Sequence, residues 1–401
     1  MPIEPVSFPS YTLLSPNLSY RPDGELEAVA EPGYIARTGH DKEAGLAQSR
    51  PDIAPYHLWL PEQMETDVSG ELVLVTGGTG FVGAHCVARL LHEGFRVRTT
   101  VRSLRREADV RAMTGENGPA LSFAVADLMA DDGWKQAVQG CDYVLHVASP
   151  VPQAKPRHED EVIEPARQGA LRVLQAARTA GVRRTVLTSS FAAVKYGHGQ
   201  QRTFTEADWS NPDGEEMAAY PKSKLAAERA AWDFVRQEGM ELAVVNPVAV
   251  FGPALGPDLS LWAGLIDSLL KGTLPALPKM TIGVVDVRDV ADLHVRAMTD
   301  PAAAGERFLA AAGTLTLPQI AAVMRENLGD AAAQVPTRTM PDWAVRLAAR
   351  FNPRAALAVP ELGIVREASS QKAQDRLGWK PRPAQDSVLD QARSLLAGEG
   401  R

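Results

Sequence analysis

The 401-residue chain is poor in cysteine, in cationic excess and in long apolar runs, and each shortage removes a class of protein. Its two cysteines, Cys86 and Cys141, lie far from each other, with no CxxC and no nearby histidine pair. A disulfide framework and a structural zinc site are therefore disfavoured, no metal is expected, and a reducing cytoplasmic setting fits. The formal net charge is -7, so no basic field exists to hold nucleic acid or an anionic membrane. Apolar segments such as Glu241-Leu242-Ala243-Val244-Val245-Asn246-Pro247 are short and broken by polar residues or proline, below the length that spans a bilayer. Also missing is a GxSxG elbow, which disfavours a serine hydrolase. What is present, 45% hydrophobic and 23% charged residues, is the composition of a globular protein with a sizeable core.

Residues 1–69 are rich in proline and turn-forming residues, with few sustained apolar periods. An arm with little core of its own is expected there, with Tyr56-His57-Leu58-Trp59-Leu60 as a patch able to dock on the body. The arm has neither the apolar centre of a secretory signal nor the acid-poor composition of a transit peptide. Met64 is a plausible natural start, a short distance before the first strand.

From Glu71 onward strand and helix patterns alternate, which predicts an α/β fold with a parallel sheet covered on both faces. Strands are expected at 72–76, 96–101, 121–126, 143–148, 184–189 and 241–245, and helices at 82–92, 162–180 and from Tyr220 through Glu238. The reading is a Rossmann-type doubly wound parallel sheet over 70–250, to which a strand and helix in 281–300 return. Residues 251–280 and 301–401 form a smaller mixed C-terminal substrate lobe.

The first strand runs into Gly77-Gly78-Thr79-Gly80-Phe81-Val82-Gly83, a GxxGxxG loop opening a helix. Gly77 permits the turn, Gly80 lets the backbone approach a pyrophosphate, and Gly83 allows the helix to pack close to the strand. Free N–H groups at the helix start then bind the phosphates. An NAD site would place an acid at the end of the second strand. This strand ends Thr99-Thr100-Val101-Arg102, with Arg105 and Arg106 close behind, and a guanidinium suits a 2′-phosphate. The cofactor expected is NADP(H). Asp127 and Leu128 end the third strand, where an adenine would lie, and Val147, Ala148 and Ser149 leave the fourth at the same rim. His146, within an apolar strand, reads as a core or supporting histidine.

Tyr220 and Lys224 stand four apart and share a helix face, where an ammonium favours the phenolate. Upstream, Thr188-Ser189-Ser190 brings hydroxyls to the ligand-binding edge, and such a serine can donate to a carbonyl oxygen.

Together these residues resemble an extended short-chain dehydrogenase/reductase. Its marks are Thr76 to Gly83, the Ser190, Tyr220-Pro221-Lys222-Ser223-Lys224 set, Asn246-Pro247-Val248-Ala249-Val250-Phe251-Gly252-Pro253, and Val285 to Ala291. Within that superfamily the segments His146 to Pro150, Phe204 to Trp209 and Ala226 to Trp232 are similar to dihydroflavonol, cinnamoyl-CoA and aldehyde reductases. The resemblance covers Glu71 to the C-terminal end. It implies that Tyr220 protonates a carbonyl oxygen as hydride arrives, that Lys224 lowers the tyrosine pKa and binds the nicotinamide ribose, and that Ser190 holds the same oxygen. Ser189 would support the strand or cofactor, and Pro247 and Val250 would line the nicotinamide pocket. Pro221 fits only if the helix is in its first turn there. The stretch from Ser190 to Tyr220 is shorter than in the plant flavonoid enzymes, which weighs against a flavonoid.

The activity implied is NADPH-dependent reduction of a small aldehyde or ketone, by a monomer or homodimer. Two alternatives stay open: a nucleotide-sugar epimerase or dehydratase that retains its cofactor, opposed by Arg102 and by the Trp209 and Trp232 motifs, and a non-catalytic NADP-binding regulatory protein, opposed by the intact Ser190, Tyr220 and Lys224. Trp262, Met280 and Trp343 form either an apolar substrate wall or ordinary core, with core the simpler reading.

Overall fold

The computed structural model describes residues 70–399 apart from 151–157, 199–201, 215–216, 259 and 352–357. The arm, its Tyr56–Leu60 patch and Met64 lie outside the described residues. In chain order the first elements are β1 (Leu72–Val75), α1 (Phe81–His92), β2 (Arg96–Val101), α2 (Glu107–Thr114), β3 (Leu121–Val125), α3 (Trp134–Val138), β4 (Tyr143–His146), α4 (Asp160–Ala180) and β5 (Arg184–Thr188). There follow β6 (Arg202–Phe204), α5 (Ala219–Glu238), β7 (Glu241–Pro247), β8 (Ala249–Phe251), α6 (Leu261–Leu270), β9 (Leu277–Pro278), β10 (Thr281–Asp286), α7 (Val287–Thr299) and β11 (Arg307–Ala310). The chain closes with β12 (Gly313–Thr316), α8 (Leu317–Leu328), β13 (Thr339–Met340), α9 (Asp342–Ala348), β14 (Arg366–Ala368), α10 (Gln371–Leu377) and α11 (Ala384–Glu399).

Seven parallel strands form the central sheet in the order β11-β7-β5-β4-β1-β2-β3. Side chains alternate across a strand, and β1 shows the result. Val73 and Val75 pack with Cys86, Val87, Leu90 and Val290 on the α1/α7 side, while Leu72 and Leu74 pack with Trp134, Ala137, Val173 and Ala177 on the α3/α4 side. Burial on both faces is why the strand reads as an unbroken apolar run. The order reverses between β1 and β4, and a ligand crevice opens at such a switch, outside the C-terminal ends of the strands.

A second apolar cluster sits under the three-stranded sheet β12-β10-β8, where Phe251, Ile266, Val284, Ile320, Met324 and Val388 meet. Two boundaries differ from the sequence reading. The strand expected to rejoin the central sheet, β10, pairs parallel with β8 and antiparallel with β12, and only its helix α7 returns, packing on α1 and β7. Conversely β11, assigned above to the smaller lobe, is the seventh central strand, with Phe308 opposite Val245. Ala310-Ala311-Ala312 next to it blurred the β pattern, since alanine favours helix. Trp262 and Met280 pack on the second cluster, but Trp343 is 69% exposed and belongs to no core.

Candidate active site

The glycine loop is built by close approach. Gly77 has φ +74°, and its N–H donates to Thr100 Oγ1 at 3.0 Å. A Cβ on Gly83 would stand 2.1 Å from Gly77 O, so α1 lies against the loop with no room for a methyl group. Gly78, given no role of its own above, is also tight, because its Cβ would fall 2.1 Å from the Thr99 side-chain oxygen. Gly80 is the N-cap of α1 and offers no side chain to it, which leaves Phe81 and Val82 at an open helix start that favours an anion.

Beside the loop, β2 ends at Val101. Arg102 and Arg105 are exposed, and among the described residues neither makes a side-chain hydrogen bond or ion pair, whereas Arg106 is held by Asp109 and Asp258 at 3.0 Å or less. Two cations without internal partners next to a phosphate-binding turn fit a dinucleotide carrying a third phosphate. Further along the rim, Asp127 Oδ1 accepts the Met129 N–H at 3.0 Å and Leu128 packs on Gly169. Ala148 N–H donates to Thr76 Oγ1 at 3.0 Å, tying the exit of β4 to the end of β1. The same hydroxyl is hydrogen-bonded to His146 Nδ1 at 2.9 Å. Burial first, and then the Lys224 charge, push the imidazole down to about 3, so His146 is neutral and fixes the rim.

Tyr220 is the second residue of α5, and Pro221 the third, after the N-cap Ala218. The N–H that proline lacks is one that a first turn leaves without a helical acceptor, so the Tyr-Pro step is tolerated. Tyr220 is 54% exposed, while Lys224, one turn on, is buried. Its Nζ donates to Ser149 Oγ at 3.1 Å and lies 5.9 Å from the Tyr220 ring centroid. Ser190 follows β5, and its Oγ accepts the Ala192 N–H at 3.1 Å, leaving the hydroxyl proton to donate. Behind Lys224 a cavity of about 20 Å³, bordered by His146, Ser149, Thr188, Ser189 and Glu228, has room for one water. Pro247 is buried at the end of β7 and Val250 half-buried in β8. Nearby, Tyr196 donates to Glu361 Oε1 at 2.8 Å, where burial and then the Glu361 charge push its phenol upward and keep it protonated. A larger cavity of about 430 Å³, between Trp209, Trp232, Arg307 and Lys372, takes in none of Ser190, Tyr220 or Lys224.

Among the described residues no helix is long and apolar enough to cross a membrane, and no group of three histidine, cysteine or acidic side chains is placed to hold a metal ion. Several residues quoted in the motifs were given no role by the sequence reading: Thr76 and Thr100, whose hydroxyls serve the loop, and Glu228 and Asn246 beneath Ser190. Glu228 repeats the four-residue spacing of Tyr220 and Lys224 and was in principle legible from it.

Comparison with known proteins agrees with this fold. The chain is 35% identical over 258 residues to cinnamoyl-CoA reductase CAD2 of Medicago truncatula, covering 61% of this chain and 78% of that one. It is 32% identical over 266 residues to dihydroflavonol 4-reductase of Zea mays, covering 64% and 74%. Yeast methylglyoxal/isovaleraldehyde reductase Gre2, solved with NADPH, superposes with a TM-score of 0.69 at 27% identity, covering 82% of this chain and 99% of that one. Residues 73–311 match the model of the NAD dependent epimerase/dehydratase family, and the chain belongs to that family, in its extended short-chain dehydrogenase/reductase branch.

Proposed function

We propose that the protein is an NADPH-dependent reductase that converts an aldehyde or ketone to an alcohol. The observation that carries this reading is the pairing on α5 of an exposed Tyr220 with a buried Lys224 one helical turn on, whose ammonium is anchored by Ser149 past the end of β4, with Ser190 following β5 and keeping its hydroxyl proton to donate. The dinucleotide supplies the hydride. Tyr220 then donates its phenolic proton to the carbonyl oxygen, and the free Ser190 O–H holds that oxygen as negative charge gathers on it. Lys224, fixed by Ser149, keeps a positive charge beside the phenol and is in position to bind the nicotinamide ribose. Arg102 and Arg105 take the 2′-phosphate, and the glycine loop with Phe81 and Val82 takes the pyrophosphate. Pro247 and Val250 border the nicotinamide. The relatives' names are those of reductases, and one was solved with NADPH, which supports the same reading.

Steady NADPH oxidation on addition of members of an aldehyde and ketone panel is the expected result. Tyr220→Phe should lower kcat by about 10²–10⁴-fold, the usual worth of a general acid, while leaving NADPH affinity unchanged. Interconversion of a nucleotide sugar without net NADPH oxidation, or a Tyr220→Phe protein as active as the parent, would overturn the proposal.

A further inference from the structure

One buried carboxylate beneath the site has four hydrogen-bond partners and borders the small cavity behind Lys224. Glu228 is fully buried on α5, two turns beyond Tyr220 and one beyond Lys224. Its Oε2 accepts Ser189 Oγ at 2.6 Å and Asn246 Nδ2 at 2.7 Å. Its Oε1 accepts Arg307 Nε at 2.6 Å and Trp232 Nε1 at 3.4 Å. Four donors fill the lone-pair positions of one carboxylate. Asn246 uses the same amide nitrogen to hold Ser190 O at 3.2 Å. Arg307 in turn donates through Nη1 to Glu206 O at 3.0 Å and Asp208 O at 2.9 Å, and stacks 3.7 Å from the Trp209 ring centroid.

We infer that Glu228 is a positioning residue for the reductase reaction: it sets the distance between the helix that carries Tyr220 and Lys224 and the strand end that carries Ser190. The proton donor and the oxygen-holding serine come from different elements, α5 and the exit of β5. A rigid tie must join them if both are to meet one carbonyl oxygen, since an error of about 1 Å in such geometry costs about 10²-fold in rate. Glu228 is that tie. It stands on the same helix as the acid, grips Ser189 directly, and grips Ser190 through Asn246. Arg307 on β11 balances its charge and holds the far oxygen. With all four lone-pair positions taken by protein donors, the carboxylate acts through the Ser190 backbone.

Glutamine in this place cannot reproduce the contacts. It has one acceptor oxygen, Arg307 claims it, and the NH₂ then faces the donors of Ser189 and Asn246. The kinetic arm of the test rests on the reductase reading, and a second arm does not. In the full chain, Glu228→Gln and Asn246→Leu should each lower kcat at least tenfold with NADPH Kd within about twofold of the parent. The double variant should be no slower than the slower single one, because both cut the same path. Independently of turnover, amide exchange at Ala192 and Ala193, which donate to Ser190 Oγ and O, should accelerate at least tenfold in Glu228→Gln while α5 stays protected. If Glu228→Gln does not fold, Ser189→Ala leaves the Glu228–Arg307 pair whole and carries the same two measurements. Multiplicative losses in the double variant, a rise in NADPH Kd that tracks the fall in kcat, or unchanged exchange at Ala192 and Ala193 would overturn the inference. A parent protein that reduces no carbonyl would overturn the reductase reading alone, and the exchange arm would still decide the role of Glu228.

Discussion

Replacing Arg102 by alanine isolates the cofactor assignment from everything else in the site. Thr100 receives the Gly77 N–H at 3.0 Å, and Arg102 lies two residues further along. At about 3.3 Å per residue its backbone is about 7 Å along the chain from that of Thr100, which touches the loop, a span that an arginine side chain can cover. The guanidinium is exposed and has no ion pair among the described residues, so its loss should alter fold stability by less than about 0.5 kcal/mol. Hydrogen bonds to a charged group are worth about 1.5–3 kcal/mol, and solvent screening at an exposed site favours the lower part of that range. A loss of about 1.5–2 kcal/mol is about 10- to 30-fold in kcat/KM for NADPH. NADH has no 2′-phosphate and should be used as well by the variant as by the parent. The assay is kcat/KM for both cofactors at low and high salt, with the NADPH preference shrinking as salt rises. Equal loss with both cofactors, or no loss with either, would refute the reasoning.

Gly83→Ala tests the loop itself, since its methyl group would stand 2.1 Å from Gly77 O and 2.8 Å from Gly77 C, both backbone atoms. Overpacking of this kind costs about 1–3 kcal/mol, and calorimetry should show a lower Tm together with at least tenfold weaker dinucleotide binding. Unchanged Tm and affinity would mean that α1 does not press on the loop. For acid stability, burial holds His85 and His294 at about 4 and His146 at about 3, against 6.5 in the unfolded chain. Between those values the unfolded state binds more protons, so stability falls as pH drops from 6.5 towards 4. Asp289 acts in the opposite sense, because burial raises it from 3.8 to about 7 and the stability it contributes is lost as pH rises through that value. Glu206, also raised by burial, acts with Asp289, while the lowered carboxyls of Asp286, Glu306 and Glu361 add to the histidines, and the balance is a net acid-side loss. Tm measured from pH 7 to 4.5 should fall, with a shallower slope in His294→Gln, and a Tm that climbs on acidification would contradict this.

Six central strands were legible in the sequence because four are short, mainly apolar runs and the other two, Arg96–Val101 and Arg184–Thr188, are rich in β-branched valine and threonine. The seventh was not: Arg307-Phe308-Leu309-Ala310 is four residues long and runs into alanines. Only its pairing with β7 makes it a strand. Strand β10 carries the same kind of signal as the central strands, and nothing local tells it to pair with β8 instead. Trp343 was read as core by residue type, and its exposure shows that composition does not fix where a helix face points.

The spacings GxxGxxG and Tyr-x-x-x-Lys are local, a turn and a helix face, and local geometry follows from sequence order. They were enough for the fold class, the dinucleotide loop and the helix bearing Tyr220. The anchoring of Lys224 on Ser149 and the buried carboxylate that ties Ser189, Asn246 and Arg307 together join residues 18 to 79 positions apart. Such contacts exist only once a sheet has ordered its strands and a helix has been laid across it, because no spacing rule reaches over a loop. The residue types announced a reductase, and the packing of α5 against β5, β7 and β11 decided how its donors are held.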